Sequence, residues 1–202
     1  MESNLSLGGR VGVRKIAAPG PGMAWKLRNM ARWEYVLGIV GAVLAKSLSA
    51  LTGIPTLTSE LRLSLLRADG SVVNYGVVNR RVITTAFVNF MVDQLQTETS
   101  VWGDFKFHDS GVGTTAAAVG DTGIETTDGE GRATGTQTEG AANVYVSVGT
   151  ISYTTTKAIT EHGLFNDASA GTLMDRHVFS AVNVISGDSI QFTYSLTVSS
   201  GG

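Results

Sequence analysis

The stretch Ile190-Gln191-Phe192-Thr193-Tyr194-Ser195-Leu196-Thr197-Val198 alternates apolar and polar residues without a break. Successive side chains on a β-strand point to opposite faces, so Ile190, Phe192, Tyr194, Leu196 and Val198 share one face and Gln191, Thr193, Ser195 and Thr197 the other. One buried face and one wet face is the pattern of an antiparallel sheet. The polar face carries no acid, base or nucleophile set, which suits a building block better than a catalyst.

The same alternation recurs upstream. Val144, Val146 and Val148, continuing through Ile151 and Tyr153, predict another strand. Leu61–Leu66 and Val72–Val78 flank Arg67-Ala68-Asp69-Gly70, where Asp-Gly marks a hairpin because both turn positions tolerate positive φ. Further strands are expected over Phe105–Phe107, from Ala158 onward and over Leu173–Val184, with Ser186-Gly187-Asp188 turning into the last one. Roughly seven or eight short strands, with turns about every ten residues, indicate a mainly β fold: an antiparallel β-sandwich or jelly-roll-like domain. One helix is expected to pack on it. Thr84 or Thr85 caps a segment running through Gln96, with Phe87, Val88, Met91, Val92 and Leu95 on one face.

The first quarter of the chain reads differently. Residues 1–22 hold Gly8, Gly9, Gly12 and Pro19-Gly20-Pro21-Gly22, the composition of an arm, and Met23 is an alternative start. Residues 24–51 read as an amphipathic helix: Trp25, Leu27, Met30, Trp33, Leu37, Val40, Leu44 and Leu48 recur at three- and four-residue spacing, and Thr52-Gly53-Ile54-Pro55 ends it. Inside it the apolar run Val36–Ala45, closed by Lys46, falls short of the roughly 20 residues a bilayer span needs. That run is expected to be buried. Two parts follow: a basic arm and amphipathic helix over residues 1–55, and a β-sandwich domain over residues 56–202.

Charge follows the same division. Charged residues make up only 16% of the chain and the net charge is −2. Residues 1–50 carry seven Lys/Arg against two Asp/Glu, whereas the remainder carries eight against fifteen. A basic leader on an acidic body favours contact between copies, with Arg10, Arg14, Lys15, Trp25, Arg28 and Arg32 as the expected partner-binding residues. These cations are few and interleaved with apolar residues, so a protein partner is expected and nucleic acid is not. The absence of cysteine rules out disulfides, Cys-based zinc sites and thiol catalysis.

The residues with chemistry do not assemble into a motif. His108 sits beside Asp109 and His162 beside Glu161, and strand neighbours face opposite ways, so neither pair is a ready chelate. No nucleophile elbow, Walker loop or dinucleotide fingerprint is present. The Gly-rich tract 111–140 lacks the Lys and following helix of a phosphate loop. Its acids, Asp121, Glu125, Asp128 and Glu130, lack calcium-loop spacing and read as solvated. A tract this long is expected to be functional or held from outside the domain. No catalytic residue, metal site, cofactor, small-molecule substrate or membrane association is expected.

Several segments together resemble a known group of proteins. The block Trp102-Gly103-Asp104-Phe105-Lys106-Phe107-His108-Asp109-Ser110-Gly111-Val112-Gly113-Thr114-Thr115-Ala116-Ala117-Ala118-Val119-Gly120-Asp121-Thr122-Gly123-Ile124-Glu125 is similar to a stretch in small virion structural proteins of tailed bacteriophages. Arg132–Gln137, Ile159–Phe165, Gly171–Arg176 and the Gly187-Asp188 turn continue the pattern, and the last segments also resemble tail-fibre and baseplate-associated proteins. The resemblance extends over about residues 60–200. It implies a non-enzymatic virion protein, expected to be a capsid decoration or cement protein that covers seams between coat subunits. Its expected partners are itself, as a trimer or other homo-oligomer, and the major capsid protein or other virion proteins.

Three alternatives stand beside that expectation. A tail, collar or fibre-attachment component has the same composition and differs in copy number. A carbohydrate- or receptor-binding module would expose Trp102, Tyr145 or Tyr153 beside polar loops. An enzyme would need a His162/Asp188 or His108/Asp109 pair converging in a deep pocket.

Overall fold

The computed structural model describes residues 21–80, 83–96 and 104–200. Two antiparallel sheets face each other. The strands are β1 (Thr56–Leu66), β2 (Val72–Asn79), β3 (Phe107–Gly111), β4 (Ala133–Thr134), β5 (Thr136–Ala141), β6 (Val144–Ser152), β7 (Lys157–Phe165), β8 (Leu173–Val184) and β9 (Ser189–Ser199). The first sheet has the order β2-β1-β9-β6-β5 and the second β4-β3-β7-β8. Helix α3 (Thr85–Gln96) packs on this body, and α1 (Met23–Met30) and α2 (Trp33–Thr52) precede it.

The alternating stretch is the spine of the first sheet. β9 pairs with β1 on one side, Tyr194 opposite Leu61 and Phe192 opposite Leu63, and with β6 on the other, Ile190 opposite Ile151. Ile190, Phe192 and Tyr194 are fully buried and meet Ile159, Leu164, Phe179 and Val182 of the second sheet. Each such side chain contributes about 1.5–3 kcal/mol of transfer free energy on burial. The polar face of β9 is not fully wet: its residues are half-buried, and α2 passes close to Ser195 and Thr197.

The turns follow the local chemistry. Gly70 adopts φ +82° in the β1–β2 hairpin, and Asp69 accepts the Ser71 N–H at 2.8 Å. The Thr84 hydroxyl accepts the Phe87 N–H at 3.2 Å, capping α3, and donates to the Leu173 carbonyl at 2.5 Å, so the cap also fixes the helix to β8. Phe105 is not in a strand; β3 begins at Phe107, and Phe105 lies edge-on between Phe87 and Phe90. The expected seven or eight strands are nine among the described residues, because the Gly/Thr tract supplies β4 and most of β5. The single expected helix over residues 24–51 is two, broken at Ala31-Arg32, where the chain leaves the edge of β8 and turns along β1 and β2.

Candidate interaction surface

Helix α1 lies along the edge of β8. The Trp25 indole N–H donates to the carbonyls of Ser180 and Ala181 at 3.2 and 3.0 Å, and its ring meets Tyr75 edge-on at 4.6 Å. Asn29 is buried and bridges the two sheets: its Nδ2 donates to the Val78 carbonyl of β2 at 2.9 Å, and its Oδ1 accepts the Ser180 N–H of β8 at 3.0 Å. Asn79 adds a third tie, donating to the Val178 carbonyl at 2.8 Å. Arg32 Nη1 reaches the Phe179 carbonyl at 3.4 Å. Of the cationic and aromatic residues expected to hold a partner, Trp25 and Arg32 are therefore engaged by the chain's own β8, and Arg28 stands exposed on α1. Arg10, Arg14 and Lys15 lie outside the described residues.

Helix α2 reverses the expected polarity. The apolar run Val36–Ala45 is not buried. The residues that touch the body are small: Gly38 is buried, and Ala42 and Ala45 are half-buried one and two turns further on. A Cβ built on Gly38 would stand 1.9 Å from the Arg80 carbonyl oxygen, so only glycine allows this approach. Most large side chains of the predicted stripe on α2 point away from the sandwich: Trp33, Val40, Leu44 and Leu48 are between 46% and 69% exposed, with Val43 and Leu51 beside them, while Leu37 is half-buried in the cleft against the body. Periodicity found the stripe but could not say which side of the helix meets the protein; close packing chose the glycine–alanine side. By length and composition alone the stretch Tyr35–Thr52 is apolar enough to cross a membrane, and 6% of it is buried.

The ionisable groups converge elsewhere, and they are sealed. His108, His162 and His177 form a row on the inner face of the second sheet, all at 0% exposure. His108 Nδ1 lies 2.9 Å from His162 Nε2, and His108 Nε2 lies 2.9 Å from Ser147 Oγ on the facing sheet. His162 stacks on Phe192 with centroids 4.5 Å apart, and Tyr194 donates to Asp175 Oδ2 at 3.1 Å. Burial pushes the His108 pKa down to about 3 and His162 well below its usual value, and burial raises the Asp175 carboxyl. Gly149 and Gly135 make room for the His108 ring: a Cβ on either would meet it at 2.3 or 2.7 Å. A serine–histidine–histidine chain is nucleophile geometry, but here it lies inside the core with no exposed member. The two pairs an enzyme would need do not form. Asp109 points the opposite way from His108, to Arg132, and Asp188 receives Arg67, Ala68 and Ile185. Among the described residues no three His, Asp or Glu side chains converge in metal-binding geometry.

The long Gly/Thr tract covers the outer face of the second sheet and is held from within. Glu161 is the hub: it accepts the backbone N–H groups of Gly113, Glu125 and Thr126 at 2.9–3.0 Å and the Arg176 Nε at 2.8 Å. Arg176 also reaches Asp121 at 3.0 Å and Glu125 at 3.1 Å. Asp128 accepts the Ser110 hydroxyl, and Glu130 pairs with Lys157 at 2.5 Å. Arg132 lies over the Phe165 ring, 3.4 Å from its centroid. The four acids expected to be solvated are thus bound within the domain. This also explains why β7 and β8 are buried on both faces.

No family model, curated protein or solved structure matches this chain. Glu125, Glu161 and Arg176 belong to one network that locks the tract, whereas Arg132 is held beside it by Asp109 and by the Asp167 and Ala170 carbonyls. The aromatic residues that would mark a glycan site do not stand free. Tyr153 is buried, Tyr145 is half-buried with its hydroxyl donating to the Phe105 carbonyl, and Trp102 lies outside the described residues.

Proposed function

We propose that this chain is a non-enzymatic structural protein of a bacteriophage virion, acting as a decoration or cement protein at seams between coat subunits. The observation that carries the reading is α2, an uncharged apolar helix face held outward by a glycine contact against a closed sandwich. Large apolar patches on a folded protein mark contact with another molecule. A shell gathers many copies side by side and supplies many partners for such a face. The body suits the same work. Its loop layer is pinned by Glu161 and Arg176, and its ionisable interior is shut away from solvent. The resemblance of about residues 60–200 to small virion proteins supports the setting.

The test is to add purified protein to shells assembled without it and count bound copies by quantitative mass spectrometry and electron microscopy. Hundreds of copies spread over the shell are expected. A handful at one vertex would move the protein to the tail or collar, and no binding to shell or tail would end the proposal.

A further inference from the structure

We infer that α2 is a self-association element, whose outward face packs against the same face of a second copy of this chain. This deepens the assembly role proposed above and rests on it for the setting in which copies meet, although the contact itself is a property of the purified protein.

Three observations name the occupant. First, α2 carries only two charged residues, Glu34 in its first turn and Lys46, which lines the cleft against β1. A two-fold contact places a patch on itself, so the patch must complement itself, and an uncharged apolar face does so without repulsion. Second, the area is of the right order. The exposed parts of Trp33, Val40, Val43, Leu44, Leu48 and Leu51, with their neighbours, lie along a helix of about 30 Å. They offer several hundred Å², on the scale of the ~800 Å² each partner contributes to a standard interface. Third, the body to which α2 is fixed does not suit lipid. The cleft between α2 and β1 is lined by Lys46, Thr58, Glu60, Arg62 and Arg80, with Glu60 paired to Arg62 at 2.6 Å and to Arg80 at 2.7 Å. While Gly38 rests on Arg80, sinking α2 into hydrocarbon would carry these charges with it. A protein face lets the apolar side dry while the charged side stays at the rim.

The chain has no cysteine, so a single introduced thiol reports its own neighbours. The full-length L44C variant, oxidised mildly, is expected to form a disulfide-linked pair. The A168C variant, on the exposed β7–β8 turn, is expected to stay single. Wild-type protein should sediment as a dimer or higher multiple at tens of micromolar, and V40E/L44E should sediment as a monomer with an unchanged β unfolding transition. If V40E/L44E fails to fold, the L44C cross-link still decides. A monomeric wild type with no L44C cross-link overturns the inference. So does flotation of the wild type with phosphatidylcholine vesicles, which would give the face to lipid. A monomer that still decorates shells would sink this inference alone, and an oligomer that ignores shells would sink the virion reading alone.

Discussion

His108 and His162 share a hydrogen bond across neighbouring strands, Nδ1 to Nε2 at 2.9 Å, in a layer that water does not reach. In the folded state both rings resist protonation, and in the unfolded chain both titrate near 6.5. Between those values the unfolded state binds more protons, so the stabilising contribution is complete above about pH 6.5 and is lost as pH falls. For His108, with its folded value near 3, the loss by pH 5 is about 2 kcal/mol. Asp175 acts in the opposite sense: its raised carboxyl takes up a proton earlier in the folded state and returns part of that stability as pH falls. Guanidinium midpoints measured from pH 7.5 to pH 5 should therefore decline. H162F, which keeps the stack on Phe192, should show a shallower decline. Parallel curves for the two proteins would remove the histidine row as the cause.

Glu161 fastens three backbone amides and one guanidinium, so its charge matters more than its shape. In E161Q one oxygen becomes a donor facing other donors, and Arg176 loses its buried counter-charge. Breaking a buried pair from one side costs about 3–5 kcal/mol. The expected signature is local as well as global: amide exchange of Gly113, Glu125 and Thr126 accelerates far more than that of the β1–β9 ladder. Uniform acceleration across both sheets would mean that the tract is not a separately fastened layer.

Gly38 and Gly41 sit one turn apart on α2 but meet different surroundings. A methyl group at Gly38 collides with the Arg80 carbonyl, whereas nothing lies within 4 Å of the same position at Gly41. G38A should lift α2 from β1 and expose it to limited proteolysis. G41A should be neutral or should raise stability by up to about 1 kcal/mol through the better helix propensity of alanine. Equal protease sensitivity in the two variants would argue against close docking of the helix.

The sandwich was legible because its signals are local. The period-two run of β9, the Asp69-Gly70 turn and the Thr84 cap each need only a few adjacent residues, and each folds as its pattern predicts. What was not legible depends on pairs distant in sequence. Glu161 reads as one acid beside one histidine until β7 brings it under Gly113 and Thr126. The four loop acids look solvated until Arg176 meets Asp121 and Glu125, Lys157 meets Glu130 and Ser110 meets Asp128. On α2 the sequence displayed a large apolar stripe beside a small-residue stripe, and hydrophobicity alone named the wrong one as the docking side. The docking side is set by Gly38 with Ala42 and Ala45, small residues at helical spacing that permit close backbone contact.

The asparagine stitching of β2 to β8 leaves the molecule with unlike ends. Along Val178–Ala181 the backbone groups that a foreign strand would seek are occupied by Asn29, Asn79 and Trp25, so that margin is blunt. At the far side of the first sheet β5 is exposed throughout and, among the described residues, pairs only with β6. A strand of another polypeptide can therefore add at β5 of the first sheet and not along Val178–Ala181 of β8 in the second. Of these two rims, only the bare one is free to take a visiting strand.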